Sequence, residues 1–263
     1  AAFEAAIAVA ERGRVGYTEA LGLPELRARI ARHYGEWYGV DVPASRIAVT
    51  TGSSAGFLLA FLAAFDPGAR IALPQPGYPA YRGLLKGTGL EEVPVITEQD
   101  TRWAPTSDHI EALLRTGPLG GIVLASPNNP TGVCIDPEGL GRLIACCEQE
   151  GVTFVSDEIY HGLVYEGSAE TALRFTDEAI VVNSFSKYFC MTGWRIGWLV
   201  LPERLVRAVE RLAQSLYISP PALSQYAALA AFDCGPALEQ HKAVYKANRD
   251  LLIDRLPKIG LER

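Results

Sequence analysis

The stretch NSFSKYFCMTGWRIGW, residues 183–198, places a lysine between two apolar runs. Ser184 and Ser186 come just before Lys187, and Arg195 lies eight positions after it. A lysine in a poorly solvated pocket loses its proton more easily and becomes a nucleophile toward carbonyl groups. An arginine can bind a phosphate or a carboxylate through two parallel hydrogen bonds. Taken alone, however, the two residues are better explained as a surface lysine and a salt-bridged arginine.

The segment TTGSSAG, residues 50–56, follows a predicted strand and precedes a predicted helix. Free backbone N–H groups and the helix dipole at such a turn attract an anion. Gly52 opens the turn, and the hydroxyls of Ser53 and Ser54 add hydrogen-bond donors. A plain helix N-cap is the alternative interpretation, so this segment is a candidate phosphate site only.

Two further strand ends carry polar side chains. In SPNNPTG, residues 126–132, an asparagine amide can donate to a ligand, although turn chemistry alone favours a tight loop. In SDEIYHG, residues 156–162, Asp157 directly follows a buried strand, where a carboxylate needs a partner. A helix cap or a structural arginine would also satisfy it. Tyr160 is expected on the same side of a helical turn, and His161 is interpreted as packed or solvated rather than as a general base.

Together the four segments supply an amine, a carboxylate, a phenol, an amide and a phosphate cradle. Sheets with parallel strands bind ligands beyond the carboxyl ends of those strands, where all four segments are expected. An aldehyde cofactor with a phosphate and a basic ring nitrogen would use every one of these groups, and pyridoxal phosphate fits that description. No metal site is expected, because the five cysteines lack C-x-x-C spacing and are interpreted as reduced, mostly buried thiols.

The elements that must position these residues alternate between strand and helix. Short apolar runs such as RIAVTTG, GGIVLAS and VTFVSD predict strands, and helical patterns lie between them. This alternation predicts an α/β fold, a three-layer α/β/α domain with a mainly parallel sheet. After Pro202 the pattern is helical. A boundary near Gly235 separates a predicted large cofactor-binding domain, 1–235, from a linker helix and the start of an incomplete small domain, 236–263.

The composition narrows the function classes. The chain has 263 residues, of which 49% are apolar, and its formal net charge of −6 argues against a protein that binds polyanions. No apolar run reaches membrane-spanning length and no signal peptide is visible, so we expect a cytoplasmic protein with neither membrane nor nucleic-acid partners. The chain starts without Met inside a predicted helix and stops just after another, which suggests a fragment cut at both ends.

Six motifs, in order along nearly the whole chain, resemble those of the class I/II aminotransferases, the fold type I group of pyridoxal-phosphate enzymes. They are GYTEALGLPELR, TTGSSAGF, PGYPAY, SPNNPTG, SDEIYHGLVY and SFSKYFCMTGWRIGW. The S-x-S-K motif followed by G-x-R-x-G is specific, and N-P-T-G and D-x-x-Y strengthen the match. The resemblance implies an aspartate-aminotransferase-like large domain, pyridoxal 5′-phosphate as the cofactor, and a homodimer with shared sites.

The resemblance also implies a role for each site residue. Lys187 would form the internal Schiff base, Asp157 would pair with the ring nitrogen, and Tyr160 completes the catalytic set. Tyr160 and Asn129 would hydrogen-bond the phenolic oxygen of the ring, and Tyr78 would stack on its face. The residues implied to contact the phosphate are Gly52, Ser53, Ser54, Ser184, Ser186, Arg195 and, from the neighbouring subunit, Tyr17.

The implied function is transfer of an amino group between an amino acid and a 2-oxo acid by a ping-pong mechanism. A pyridoxal-phosphate lyase, either a carbon–sulfur β-lyase or an enzyme like aminocyclopropane-carboxylate synthase, would keep the same cofactor shell. A non-catalytic domain that senses the cofactor is a third reading. Family members are longer at both ends, so a closing N-terminal segment and a substrate-clamping arginine of the small domain are expected to be missing here. The residues do not select the substrate.

Overall fold

Among the residues that the structure describes, seven strands form one sheet between two helical layers. The computed structural model describes residues 1–13 and 15–261. The strands are β1 (Ile47–Thr50), β2 (Arg70–Gln75), β3 (Glu91–Ile96), β4 (Gly121–Ala125), β5 (Thr153–Asp157), β6 (Ile180–Ser184) and β7 (Gly197–Val200). Most of them are buried along their whole length, as expected for a sheet covered on both faces.

The strand order is β1-β7-β6-β5-β4-β2-β3. The strands from β6 to β3 are parallel, whereas β7 runs antiparallel to both β6 and β1. Between β6 and β7 the chain forms only the loop 185–196, which contains a single 3-10 turn at Thr192–Trp194. Without a crossover helix, this loop returns the chain beside β6 in the opposite direction. The prediction of a mainly parallel sheet is confirmed.

Successive strand residues enter two hydrophobic cores on opposite faces of the sheet. In β6, Ile180 and Val182 pack in one core and Val181 packs in the other. The first core is closed by α3 (Ser53–Ala64), α4 (Ala80–Gly87) and α7 (Glu203–Tyr217). The second is closed by α2 (Pro24–Tyr38), α5 (Ser107–Leu114), α6 (Pro137–Gln149) and α8 (Ala222–Ala231). The predicted three-layer α/β/α architecture is therefore confirmed.

Local sequence signals account for the helix boundaries. α2 begins with Pro24 in its first turn and ends before Gly39, whose φ of 65° lies in the left-handed region. Asp136 caps α6 by accepting a hydrogen bond from the backbone N–H of Gly139 at 2.8 Å. Two further helices are α1 (Ala2–Glu11), which packs on α8, and α9 (Gly235–Arg255). In the part of the chain that the structure describes, none of the helices is long and apolar enough to cross a membrane.

The segment after β5 differs from the prediction. Residues 159–162 form hydrogen-bonded turns and not the first turn of a helix, with the His161 N–H donating to Glu158 O at 3.0 Å. The Leu163 N–H closes the next turn by donating to Tyr160 O at 3.0 Å. A tight turn, rather than helical spacing, therefore fixes where Tyr160 lies relative to β5.

Candidate active site

The predicted site residues follow strands that end at one edge of the sheet. In the strand register, Ala125 at the end of β4 lies beside Asp157 at the end of β5. Gly197, the first residue of β7, lies beside both Ser184 of β6 and Thr50 of β1. The carboxyl ends of β1, β4, β5 and β6 and the start of β7 therefore share the edge where such sheets bind ligands.

Gly52 and Arg195 form a candidate anion site at this edge. Gly52 has a φ of 87°, and a Cβ atom there would overlap Arg195 Nη2, so the position requires glycine. Arg195 is exposed and donates to Thr192 O at 2.9 Å. Because Gly52 is the N-cap of α3, the guanidinium lies beside the positive end of that helix. Two positive potentials at one point favour a bound anion such as a phosphate.

The serines predicted to hold the phosphate lie around this point and differ in exposure. Ser53 is half-buried and Ser54 is exposed, both in the first turn of α3. Ser184 and Ser186 are buried, and their Oγ atoms are 2.9 Å apart. A Cβ atom on Gly197 would come within 3.1 Å of Ser53 N, so β7 approaches the turn closely. The structure thus gathers the predicted phosphate ligands at one corner, with the two buried hydroxyls bonded to each other.

Asp157 is the buried anion of the edge. It is 4% exposed, its Oδ1 accepts from the Ile159 N–H at 3.1 Å, and its Oδ2 accepts a short hydrogen bond from the Tyr81 hydroxyl. Burial raises the pKa of Asp157 to about 6, while the hydrogen bonds from Tyr81 and Ile159 and the charge of Lys187 oppose that rise. A cation placed against this carboxylate would therefore be strongly bound.

Lys187 lies in the loop that joins β6 to β7. It is half-buried, and its Nζ atom is 5.7 Å from the centroid of the Tyr160 ring. The Tyr160 hydroxyl accepts a hydrogen bond from Asn129 Nδ2 at 3.2 Å. The structure therefore brings the predicted amine, phenol and amide together, and the charge of Lys187 is felt at Asp157.

The two remaining predicted tyrosines occupy different places. Tyr78 is 44% exposed and meets Tyr81 edge to face, with ring centroids 5.4 Å apart, so it lies next to the partner of Asp157. Tyr17 is 81% exposed and lines a separate cavity with Leu23 and Tyr226. Within one chain, Tyr78 therefore lies close to the buried carboxylate, whereas Tyr17 lies at a separate cavity.

Three charged side chains of the site lack an ion-pair partner among the described residues. Arg195 donates to a backbone carbonyl, Asp157 accepts from a hydroxyl and an amide, and Lys187 faces an aromatic ring. One ligand would satisfy all three if it carried a phosphate, a basic nitrogen and a carbonyl group. Within residues 1–13 and 15–261, no group of three or more His, Cys, Asp or Glu side chains is placed to hold a metal ion.

Comparison with known proteins supplies the family. A family model described as aminotransferase class I and II matches residues 1–263. The chain belongs to the class I and II aminotransferases. A valine–pyruvate aminotransferase of Mycobacterium tuberculosis is 46% identical over 263 residues, which cover 98% of this chain and 67% of that protein. An aspartate aminotransferase of Sulfolobus acidocaldarius is 33% identical over 252 residues, or 94% of this chain and 63% of that protein.

The solved structures agree with this family. The crystal structure of an aminotransferase from Mycobacterium tuberculosis matches with a TM-score of 0.96 at 46% identity, covering 100% of this chain and 68% of that one. The chain therefore spans about two thirds of the length of the relatives that it matches. Members of the family use pyridoxal 5′-phosphate. Lys187, Asp157 and Arg195, which have no ion-pair partner within residues 1–13 and 15–261, fit this cofactor, because it carries an aldehyde, a pyridine nitrogen and a phosphate.

Sequence reasoning misses Tyr81 of this aminotransferase. The residue lies in the first turn of α4, is 5% exposed, and packs edge to face on Phe57 with ring centroids 5.1 Å apart. The available signal was the spacing of Tyr78 and Tyr81 in PGYPAY, since residues three apart share one side of a helical turn. The hydrogen bond to Asp157, 76 positions along the chain, has no local signal.

Substitution of Tyr81 by phenylalanine is expected to weaken cofactor binding about tenfold or more, the equivalent of one hydrogen bond to a charged group. Without the hydroxyl, the pKa of Asp157 rises further, and less of the carboxylate is ionised to meet the ring nitrogen. Equilibrium binding of pyridoxal phosphate, followed by absorbance, measures the effect. Tyr34→Phe is a matched control, because Tyr34 is fully buried and bonded to Trp198 instead. Equal affinities for the Tyr81 variant and the parent would contradict this role.

The carboxylate next to Asp157 is also buried. Glu158 is 1% exposed, and its Oε1 accepts from Ser156 Oγ, Thr171 Oγ1 and the Ala172 N–H at 2.9–3.1 Å. Burial raises the pKa of Glu158 to about 8, the three hydrogen bonds oppose the rise, and the charge of Asp157 adds to it. Glu158 is therefore mostly protonated at neutral pH and does not compete with Asp157 for a cation.

The stability of the fold should depend on pH through Glu158. Its pKa rises from 4.5 to about 8 on folding, so between these values the folded chain binds more protons than the unfolded chain. The free energy of unfolding therefore falls as pH rises through this window. Glu158→Gln keeps the size of the side chain and removes its charge. We therefore expect the free energy of unfolding of this variant to exceed that of the parent by roughly 2–4 kcal/mol at pH 9, and the two values to differ less at pH 5. Urea unfolding at both pH values measures this, and a pH-independent difference would count against it.

Proposed function

We propose that the protein containing this chain transfers an amino group between an amino acid and a 2-oxo acid, with pyridoxal 5′-phosphate joined to Lys187. One observation supports this most strongly. Lys187, Asp157 and Arg195 lie at one sheet edge without an ion-pair partner among the described residues. The amine of Lys187 can react with the aldehyde of the family's cofactor, and the charges of Asp157 and Arg195 are complementary to its ring nitrogen and its phosphate.

Lys187 and Asp157 carry the chemistry in this proposal. When bound, the cofactor supplies an aldehyde that joins an amine and a ring that draws electrons from the substrate α-carbon. Lys187 Nζ would hold the cofactor, and its free amine would act as the general base that takes up the proton of the substrate α-carbon. The buried Asp157 carboxylate would orient the ring nitrogen and keep it protonated. Because the amino donor would leave as a 2-oxo acid before a second 2-oxo acid takes up the amino group, the kinetics would be ping-pong.

The other site residues hold and orient the cofactor. Asn129 Nδ2 donates to the Tyr160 hydroxyl at 3.2 Å, and both side chains would donate to the phenolic oxygen of the ring. Tyr78, exposed beside Tyr81, would stack on the ring face. The residues that would hold the phosphate, at the N-terminus of α3 and the start of β7, are Gly52, Ser53, Ser54, Ser184, Ser186 and Arg195.

The proposal includes a cytoplasmic homodimer in which Tyr17 reaches the cofactor phosphate of the neighbouring subunit. Tyr17 is 81% exposed and lies outside the site of its own chain, so its side chain is available to a partner. The Thr18 N–H donates to Ser219 Oγ at 3.3 Å, which holds the adjoining backbone. The five cysteines, all free thiols, suit a reducing compartment.

The proposed domain boundary stays at 235, where α9 begins. Leu238 is the single buried residue among the described residues of α9, which suits a helix that leaves the large domain, 1–235. The segment 236–263 would then start a small domain. Its last two positions, 262 and 263, lie outside the described residues.

The substrates to test first come from the names of the relatives, which are a valine–pyruvate and an aspartate aminotransferase. A cavity of about 880 Å³ opens beside Asn129 and Tyr160 and is also lined by Arg102, so it can accommodate a carboxylate-bearing substrate. We therefore propose valine and aspartate as amino donors to compare, with pyruvate and 2-oxoglutarate as acceptors.

Borohydride reduction followed by peptide mass spectrometry tests the cofactor linkage. A pyridoxyl label on Lys187 is expected, and a label on another lysine, or none, would overturn the assignment. Incubation with each donor and acceptor pair tests the reaction class. Exchange of the amino group supports an aminotransferase, whereas release of pyruvate and ammonia from a cysteine conjugate would identify a lyase. Cofactor binding without either reaction would indicate a non-catalytic domain that senses the cofactor.

A further inference from the structure

Three buried polar side chains lie behind the site, and the proposed reaction gives them no role. They are Tyr38, Glu158 and His161, which are 7%, 1% and 5% exposed. His161 directly follows Tyr160, and its ring lies between the Tyr38 hydroxyl and the loop after β4. Because burial of a polar ring is costly unless its nitrogens are hydrogen-bonded, its two partners identify what the ring connects.

Both ring nitrogens of His161 have fixed partners. Nε2 lies 2.9 Å from Ser126 O, and Nδ1 lies 2.8 Å from the Tyr38 hydroxyl. A carbonyl oxygen only accepts, so Nε2 carries the proton and Nδ1 of the neutral ring accepts from Tyr38. Burial lowers the pKa of His161 to about 4, against the effect of the bond to Ser126, so the ring is neutral at physiological pH. The other titratable groups facing it are Glu158, whose Oε2 is 3.6 Å from Nδ1, and His33.

We propose that His161 is a positioning residue that joins the Tyr160 turn to Ser126 and thereby sets the hydrogen bond between Asn129 and Tyr160. The inference rests on the proposed function, in which these two side chains hold the phenolic oxygen of the cofactor. Tyr160 immediately precedes His161, and Asn129 follows Ser126 by three residues. A single ring therefore links the two segments that carry the pair.

The ring of His161 can hold the two segments relative to each other because further hydrogen bonds fix each segment. On one side, Ser126 Oγ accepts from the Ile135 N–H at 3.0 Å. On the other, the His161 N–H donates to Glu158 O at 3.0 Å, and the Glu158 carboxyl group is fixed by three donors. Loss of the ring would leave Ser126 O and the Tyr38 hydroxyl without these partners, and the two segments would shift to recover them.

Such a shift has a spectroscopic consequence. Donors to a phenolic oxygen stabilise its anionic form, and this lowers the pH at which the adjacent nitrogen of the Lys187 linkage loses its proton. If Asn129 and Tyr160 move apart, they donate less well and the midpoint of this titration rises. The midpoint is read at equilibrium from the absorbance of the bound cofactor, so it does not depend on turnover.

The test is a pH titration of this absorbance in the holoenzyme and its variants. His161→Phe should raise the midpoint by roughly 0.5–1 pH unit, the equivalent of one neutral hydrogen bond. His161→Gln keeps a donor for Ser126 O and should shift the midpoint less. In a Tyr160→Phe background, His161→Phe should add no further shift, because the pair that His161 sets is already broken.

Control variants separate positioning from general loosening of the core. His33 is also buried, at 3% exposure, and meets Tyr38 only edge to face with ring centroids 6.2 Å apart, so His33→Phe keeps the bond between Tyr38 and His161 and should leave the midpoint unchanged. Tyr38→Phe removes only the hydroxyl at Nδ1, should raise the midpoint by a smaller amount, and decides the question if His161→Phe does not fold. An unchanged midpoint in either cofactor-bound variant, or an equal shift in His33→Phe, overturns the inference. Absence of a Lys187 linkage in the parent protein overturns the proposed function and this inference together.

Discussion

Replacement of Lys187 by alanine is expected to abolish covalent attachment of pyridoxal phosphate and to lower kcat by ~10⁴-fold or more. In the proposed reaction the side chain supplies both the amine that joins the aldehyde and the base that moves the α-proton, so one substitution would remove two functions. The loss should fall on kcat more than on KM, because neither function is needed to bind the substrate. Steady-state kinetics of amino-group exchange, together with the absorbance of the bound cofactor, measures both effects.

Two further variants make the Lys187 result interpretable. Lys86 is an exposed lysine in the last turn of α4, and Lys86→Ala should leave both the linkage and turnover unchanged. Lys187→Arg keeps the positive charge near Asp157 but offers a guanidinium that does not deprotonate at neutral pH, so it should fail in turnover as alanine does. Turnover of Lys187→Ala within about tenfold of the parent would mean that another group serves as the base.

The strand-end residues of this family member were predictable because two local signals coincide there. An apolar run marks each strand, and a polar cluster marks the turn that follows, so Asp157 and the Gly52 turn could be assigned to one sheet edge. The three-layer fold followed from the same alternation. The direction of β7 could not be read in this way, because its four buried residues give the same pattern in a parallel or an antiparallel strand.

Contacts between segments that lie far apart in the chain could not be predicted from the sequence, for a different reason. Tyr81 and His161 form hydrogen bonds to Asp157 and Ser126, and neither bond follows from the spacing of residues in the chain. The tight turn after β5 was also mistaken for a helical one, since Asp157 and Tyr160 are three residues apart in either case. The roles of the individual site residues stay predictions that the substitutions test.

Replacement of Asp157 by asparagine is expected to lower kcat by about 10²–10³-fold, the loss associated with removing one well-placed electrostatic partner. The carboxylate is 4% exposed, and burial raises its pKa to about 6 against two hydrogen bonds and the charge of Lys187. A protonated ring nitrogen beside it would favour the ionised form, and the ionised form would in turn keep that nitrogen protonated. An amide of the same shape fills the space but carries no charge, so the electron-withdrawing power of the ring falls.

Glu158→Gln is the matched control for this substitution, because Glu158 is the next residue, is equally buried and is mostly protonated at neutral pH. Glu158→Gln should leave kcat within a few fold of the parent value, whereas Asp157→Asn should lower it strongly. Asp157→Glu restores the charge with a longer side chain and should recover part of the lost kcat. The ratio of the two amide variants isolates the charge of Asp157 from the burial that both residues share. Equal losses in Asp157→Asn and Glu158→Gln would mean that packing behind the edge, and not the charge against the ring nitrogen, limits the reaction.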